Sequence, residues 1–201
     1  MVDASNASKR AAETLVEGTR RLLAAEATAG VGHHVGVSIV GCERVPLAYF
    51  QVKASQERAV GQGPVPWSLV RATRFHEYIG ALFAAAARWH VLPVPRARLQ
   101  PVSCAEVARV VADVAEGAPR HARVTIAGPE IVEARALARR WRAISGRRAL
   151  LLPVPLPGRI GRALRSGALT TDRPDVRGTT RFASTWSTPE RNLAATSGPG
   201  R

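Results

Sequence analysis

The sequence has few cysteines, and their positions argue against a metal site. Two cysteines, Cys42 and Cys104, cannot form a disulfide framework and do not have the spacing of metal ligands. His76 and Glu77 begin like a zinc-binding motif, but Gly80 stands where a second histidine would be needed. We therefore predict no metal ion.

Long apolar runs are also missing. No stretch of about 18 apolar residues occurs, so the sequence predicts no transmembrane helix. The opening residues, MVDASNASKR, lack the apolar segment that is typical of a secretion signal. The simplest expectation is a cytoplasmic protein with no membrane partner.

Lysine is scarce, although the chain is strongly basic. Two lysines stand beside 27 arginines, and the net charge is +14. Such a charge can indicate nucleic-acid binding, but the arginines are scattered and are not interleaved with aromatic residues. With the abundant alanine, valine and glycine, they are typical of coding bias in a GC-rich bacterium. We do not expect nucleic acid as a partner, and 46% hydrophobic residues predict a packed core.

One stretch, Val35–Gln56, carries residues that could do chemistry. Ser38 lies in an apolar run that predicts a strand, and Tyr49 and Lys53 are one turn apart on the helix that follows. A free phenol titrates near pH 10, and a neighbouring ammonium favours the phenolate, so Tyr49 could exchange a proton with a substrate oxygen. Ser38 could hydrogen-bond the same oxygen. The alternative is a helix with a half-buried tyrosine and a solvent-exposed lysine.

Helical and strand patterns alternate along the chain. Helices are predicted over residues 8–29, 49 to about 60, 105–115, 131–145 and 159–165, and a further helix ends at about residue 87. Strands are predicted at residues 35–40, 67–71, 91–94, 124–127 and 150–154. Ser103 and Glu106 form a predicted capping box. The first strands and helices predict a βαβαβ parallel sheet with helices on both faces.

A glycine-rich segment at residues 30–36 is not a nucleotide loop. A phosphate loop leaves a strand and enters a helix, so that backbone N–H groups at the helix start meet the anion. This segment leaves a helix and enters a strand. His33 and His34, which lie in it, are interpreted as turn residues.

The Ser38, Tyr49 and Lys53 set resembles that of the short-chain dehydrogenase/reductase superfamily, and the chain is similar to its atypical, NmrA-like branch of NAD(P)-binding proteins. The similarity continues through residues 66–77 (PWSLVRATRFHE), 99–117 (LQPVSCAEVARVVADVAEG) and 124–141 (VTIAGPEIVEARALARRW). It therefore covers most of the chain.

The resemblance implies a role for each of several residues. Tyr49 is the general acid/base, Lys53 assists it and holds the nicotinamide ribose, and Ser38 orients the substrate carbonyl. The implied NAD or NADP contacts are Asn6, Tyr49, Lys53, Ala72 and Thr73. The implied contacts with a small-molecule substrate are Arg74, Phe75, His76 and Tyr78.

The sequence contains no Gly-x-Gly-x-x-Gly turn between a strand and a helix. By resemblance, residues 1–6 match the fourth strand of the family, so we expect a truncated chain with a partial, doubly wound Rossmann-like parallel sheet that lacks its first strands. The fourth strand would be an exposed sheet edge open to self-association. We expect the NAD(P)-binding part at residues 1–95, a small C-terminal substrate-binding lobe at 96–187 and a disordered tail at 188–201.

Two functions follow from the resemblance. The first is an NAD(P)-dependent oxidoreductase that acts on a carbonyl or alcohol. The second is a non-catalytic, nucleotide-sensing or regulatory module. The sequence leaves open the substrate and the choice between NAD and NADP.

Overall fold

The computed structural model describes residues 13–186, which form an α/β structure. A π-helical turn, Glu13–Glu17, leads into the first α-helix. The elements in chain order are α1 (Gly18–Thr28), β1 (His34–Ile39), α2 (Ala48–Gly61), β2 (Trp67–Ala72), α3 (His76–Ala87), β3 (Val91–Pro95), β4 (Arg98–Leu99), α4 (Cys104–Glu116), β5 (Arg123–Ala127), β6 (Val132–Glu133), α5 (Ala134–Ser145), β7 (Leu150–Val154), α6 (Gly158–Arg165) and β8 (Val176–Arg177).

The main sheet has four parallel strands in the order β1-β2-β5-β8. Helices cover both of its faces, as consecutive residues of β2 demonstrate. Leu69 packs with Leu23 and Val60 from α1 and α2, whereas Val70 packs with Val107 and other residues of α4. Because neighbouring side chains on a strand point to opposite faces, these are two separate cores. The predicted parallel α/β sheet is confirmed.

The strand at residues 91–94 was predicted in this sheet, and that prediction is wrong. β3 instead pairs in parallel with β7 in a second, two-stranded sheet, from Val91 opposite Leu150 to Pro95 opposite Val154. The reason is that α3 and α5 pack together with β3 around Leu92 and Trp141, in a core of their own. A short apolar run predicts a strand without identifying its partner.

Strand pairs join the segments before and after the predicted boundary at residue 95. β3 ends at that residue and pairs with β7, which follows it, and β5, which also follows it, pairs with β2. The predicted division at residue 95 is therefore not a break in strand pairing, and its two functional units remain a prediction. Residues 1–12 and 187–201, which include Asn6, the predicted sheet-edge strand and the whole of the predicted tail, lie outside the described residues.

The predicted capping box at α4 does not form. The Ser103 side chain makes no capping hydrogen bond, and Glu106 accepts hydrogen bonds from the backbone N–H groups of Thr179 and Thr180, at 2.7 and 3.0 Å. The Glu77 carboxylate takes the capping role, since it accepts from the N–H of Cys104 at 3.2 Å. Glu106 thus connects the segment at Thr179 and Thr180 to α4 through hydrogen bonds.

A buried carboxylate joins α2 to the main sheet. Glu57 is 3% exposed, and it accepts hydrogen bonds from Nε of Arg71 on β2, at 2.9 Å, and Nε of Arg123 on β5, at 3.0 Å. Burial alone would raise the pKa of Glu57, but the Arg71 hydrogen bond and charge, with smaller contributions from Ser38 and Arg123, outweigh burial and hold the pKa below its ordinary value.

Replacement of this carboxylate tests its contribution. We expect Glu57→Gln to lower the free energy of unfolding at neutral pH by roughly 3 kcal/mol, because Arg71 would lose its buried counter-charge and keep only the half-exposed carboxylate of Glu43, at 3.4 Å. Since the folded-state pKa lies below the unfolded value, Glu57 contributes stability above about pH 4.5 that is lost as the pH falls through the folded value. Urea denaturation over a pH series measures both effects.

Glu130→Gln is the matched control, since Glu130 pairs with Arg140 at the surface, at 2.7 Å with both side chains over a third exposed. We expect it to cost less than about 1 kcal/mol. Equal losses in the two variants, or an unchanged acid dependence in Glu57→Gln, would show that the buried carboxylate does not hold α2.

Candidate functional site

The buried face of α2 fixes where Tyr49 and Lys53 point. Three buried residues recur at helical spacing and define the face of α2 that packs against the rest of the protein: Phe50, Ala54 and Glu57. Tyr49 and Lys53 precede Phe50 and Ala54 by one residue each and therefore form an adjacent stripe. Tyr49 is 49% exposed, and its ring meets that of Phe50 edge-on at 5.7 Å between centroids.

These side chains line a cavity of about 360 Å³ at the carboxyl ends of β1 and β2. The register places Ile39 opposite Ala72, so both strands end at the same level. The lining combines most of the predicted site residues with two neighbours on β1: Val37, Ser38, Ile39, Tyr49, Lys53, Ala72, Thr73, Arg74, Phe75 and Tyr78. Ligands of open parallel α/β sheets bind at this end of the strands.

Lys53 reaches from α2 to the first strand. Its Nζ donates to the Val37 carbonyl at 3.0 Å and to Oε1 of Gln56 at 2.6 Å. Burial lowers the pKa of the Lys53 ammonium, and the charge of Glu57 partly offsets this effect. An ammonium has three N–H donors, so one remains for a ligand. Among the described contacts of Lys53, none is with the Tyr49 hydroxyl.

Ser38 is buried, with 4% of its surface exposed. Its hydroxyl lies near enough to Glu57 to help lower the pKa of that carboxyl, yet within residues 13–186 it makes no well-formed hydrogen bond. A buried hydroxyl without a partner is uncommon in folded proteins, because desolvation is not compensated. Ser38 therefore places at the cavity wall a hydroxyl that interacts only weakly with Glu57.

Arg74 brings a positive charge into the same cavity. Its guanidinium carbon lies 4.9 Å from the centroid of the Phe50 ring and 5.3 Å from that of Tyr78. Burial lowers the pKa of Arg74, and electrostatic interaction with Tyr78 and Tyr49 partly opposes this effect. In the described part of the chain, the Arg74 side chain has no ion pair and no hydrogen bond.

The remaining predicted residues divide into two groups. Ala72 and Thr73 lie on the cavity wall and are nearly fully buried, and the Thr73 hydroxyl accepts from the Gly128 N–H at 3.3 Å. His76 does not line the cavity. It is fully buried, its Nδ1 lies 2.6 Å from Oγ1 of Thr185, and its ring meets Phe182 edge-on. Burial lowers the pKa of His76, as in a neutral core histidine.

A second cavity of about 560 Å³ adjoins the first, and Arg74 and Tyr78 line both. The other side chains that line it are all apolar, and they come from α2, α3, β3, β4, α5, α6 and the connecting segments. This cavity is not predictable from local sequence, because its walls are assembled from segments far apart in the chain. The Glu57 cluster was not predicted either, although a charged residue on the buried face of α2 was a usable signal.

Other kinds of site are not evident in residues 13–186. These residues contain no group of three or more His, Cys, Asp or Glu side chains placed to hold a metal ion. Within the same range, no helix combines the length and apolarity needed to cross a membrane.

Comparison with known proteins identifies the fold. No protein-family model and no curated protein matches the sequence. An NADPH-dependent quinone oxidoreductase from Escherichia coli superposes with a TM-score of 0.69 at 17% identity, over 90% of this chain and 78% of that protein. A nucleoside-diphosphate-sugar epimerase from Staphylococcus aureus gives 0.67 at 15% identity, over 85% and 70%.

A dTDP-glucose 4,6-dehydratase from Bacillus anthracis, in complex with NAD, gives a TM-score of 0.58 at 15% identity, over 72% of this chain and 57% of that protein. At these identities the similarity shows the fold alone. The chain has the Rossmann-like α/β fold of these proteins, as its sequence predicts.

The unpaired hydroxyl of Ser38 generates a prediction about stability. We expect Ser38→Ala to change the free energy of unfolding by less than about 1 kcal/mol, because no well-formed hydrogen bond is lost. Urea denaturation at neutral pH measures the change.

Ser68→Ala is the matched control on the neighbouring strand. Ser68 is fully buried, and its hydroxyl accepts from the Arg120 N–H at 3.0 Å and lies 2.9 Å from Nε2 of His33. Loss of these partners should cost about 1–3 kcal/mol. If Ser38→Ala proves as destabilising as Ser68→Ala, Ser38 has a structural role.

Proposed function

We propose that the cavity at the ends of β1 and β2 is the catalytic centre of an NAD(P)-dependent oxidoreductase of the short-chain dehydrogenase/reductase type. Its substrate is a carbonyl compound or the corresponding alcohol. The observation that carries the proposal is that Ser38, Tyr49 and Lys53, selected from sequence pattern, line one cavity with Ala72 and Thr73. Residues after position 95, including Ala97, Leu99, Ala134, Leu164 and Leu169, supply part of the adjoining substrate side.

The residues present fit the nicotinamide end of NAD or NADP. Lys53 has a free N–H donor for a ribose hydroxyl, and Ala72 and Thr73 form a wall beside which a flat ring can lie. The Ser38 hydroxyl, which makes no well-formed hydrogen bond in the described residues, can donate to the substrate oxygen. Asn6, the remaining predicted cofactor contact, lies outside the described residues.

NADH or NADPH, when bound here, would supply the hydride that reduces the carbonyl carbon. Tyr49 would donate its phenolic proton to the carbonyl oxygen, which completes the alcohol. Ser38 donates a hydrogen bond to the same oxygen and fixes its position. Because Tyr49 is half exposed, the phenolate can recover its proton from water.

A second candidate is a nucleotide-sensing module without turnover. The observation that favours it is the position of Lys53, whose two hydrogen bonds go to Val37 and Gln56 and not to Tyr49. In this case the cavity binds the cofactor but does not exchange protons. The same experiments distinguish the two candidates, because they measure binding and turnover separately.

Tyr49→Phe tests the proton transfer. It removes the acidic hydroxyl but keeps the ring that contacts Phe50. We expect kcat for carbonyl reduction to fall by about 10²–10⁴-fold, the usual contribution of a general acid. The dissociation constants of NADH and NADPH, measured by fluorescence titration, should stay within about threefold, whereas Lys53→Ala should weaken them by about tenfold through loss of a charged donor.

Tyr78→Phe provides the comparison, since it removes the chain's other phenol from the same cavity. An equal loss of kcat in both variants would point to the polarity of the cavity instead of proton transfer at Tyr49. Saturable cofactor binding with no turnover of any carbonyl compound tested would favour the sensing module. Absence of NADH and NADPH binding up to millimolar concentration would contradict both candidates for this chain.

A further inference from the structure

We propose that the substrate carries a carboxylate on an apolar body, that Arg74 binds the carboxylate, and that the adjoining apolar cavity holds the body. This inference rests on the proposed function and adds the chemical class of the substrate. Its starting point is a positive charge that the described structure leaves without a negative partner, at the junction of two cavities.

Arg71 and Arg74 show the difference between a structural and an available arginine. Both lie at the carboxyl end of β2, three residues apart, and both are largely buried. Arg71 is paired with Glu57 and also lies 3.4 Å from Glu43. Arg74 has no such partner among residues 13–186. Arg74 is partly buried on the walls of two cavities and has no counter-charge there, so it is suited to bind an anion from outside the chain.

The nearby carboxylates are already engaged. Glu43 and Glu57 pair with Arg71, and Glu77, three residues beyond Arg74, accepts a hydrogen bond from the N–H of Cys104. Rearrangement of any of these groups to reach Arg74 would break a contact that the fold uses. A carboxylate ligand could supply a counter-charge to Arg74 without breaking any of these contacts.

The contacts of Arg74 leave the N–H groups of its guanidinium free to bind a ligand. Phe50 and Tyr78 rings interact with the positive charge of the guanidinium as cation–π partners. Cation–π contacts with these rings do not replace hydrogen bonds to oxygen atoms. The five N–H donors of the guanidinium lie in its plane and point to its edges. A planar carboxylate can accept two of them side by side, which is the geometry that distinguishes arginine from lysine.

The adjoining cavity determines the rest of the ligand. Its volume of about 560 Å³ is within the usual range for small-molecule sites, and apart from Arg74 and Tyr78 its lining is apolar, with Leu82, Phe83, Leu99 and Leu164 among the larger side chains. Sugar hydroxyls would find few hydrogen-bond partners there, so a nucleotide sugar is a poor fit. An alkyl or aryl group would bury its surface favourably.

The same arrangement orients the substrate toward Tyr49. Tyr49 and Arg74 both contact Phe50, so the proposed proton donor and the proposed carboxylate site are separated by little more than one side chain. A carboxylate bound to Arg74 therefore places the reacting carbonyl of the same molecule near Tyr49 and Ser38. The apolar body extends in the other direction.

The test is direct binding, without cofactor, of an apolar carboxylate and its neutral analogue. We expect isothermal titration calorimetry on the full chain to show 2-naphthoate binding at least about tenfold more tightly than 2-naphthamide, because a charge-assisted hydrogen bond discriminates by about that factor. Arg74→Gln should remove this preference by weakening naphthoate binding alone, and Arg74→Lys should retain part of it. Arg88→Gln, at an exposed arginine that follows α3, should leave both affinities unchanged.

Several outcomes would overturn the proposal. These are equal affinity of the wild-type chain for both compounds, no binding of either, or equal weakening of both by Arg74→Gln. A loss of NADPH affinity in Arg74→Gln with naphthoate binding unchanged would also overturn it, because Arg74 would then serve a cofactor phosphate. The wild-type comparison needs no variant, so it holds even if Arg74→Gln folds poorly.

The two proposals can fail independently. If NADH and NADPH do not bind but the naphthoate preference appears and depends on Arg74, the oxidoreductase proposal fails and the anion site stands. If the cofactors bind and carbonyl compounds are reduced with no preference for acids, the oxidoreductase stands and the substrate class is wrong.

Discussion

The buried carboxylate of Glu57 is the interaction on which the geometry of the cavity depends. It joins α2 to two strands of the main sheet through Arg71 and Arg123, and it leaves little freedom for α2 to rotate. A rotation of one residue about the helix axis, about 100°, would carry Glu57 away from both arginines and Tyr49 away from the strand ends. The charge pairing inside the protein therefore determines where the polar side chains of the cavity point.

The local structure was largely predictable, because it depends on residues close together in sequence. The helix that carries Tyr49 and the strand that carries Ser38 begin and end within about two residues of their predicted positions. Long-range partners were not predictable. β3 pairs with a strand more than fifty residues later, and Glu106 turns away from Ser103 to bind Thr179 and Thr180. Local pattern contains no information about such partners.

In the candidate site, too, the features that depend on local sequence were predictable and those that depend on long-range packing were not. Sequence spacing was sufficient to identify Ser38, Tyr49 and Lys53 as candidate site residues. The structure places all three around one cavity. The same sequence segment made His76 look equivalent to its neighbours, yet packing against Phe182 removes it from the cavity. Whether an arginine is paired also depends on packing, which is why Arg71 and Arg74 have different environments although they are only three residues apart.

The unused polar groups of the cavity explain how a stable fold can retain binding capacity. Within residues 13–186, His33, His76 and Glu106 each bury one polar atom without a well-formed hydrogen bond, but each pairs its second polar atom, and the indole N–H of Trp186 is unpaired away from the cavity. The single hydroxyl of Ser38 has no well-formed hydrogen bond, and the guanidinium of Arg74 has no hydrogen-bond acceptor within the described residues. Because neither group is committed to a well-formed hydrogen bond inside the described part of the chain, both can bind the oxygen atoms of a ligand without the loss of an existing one.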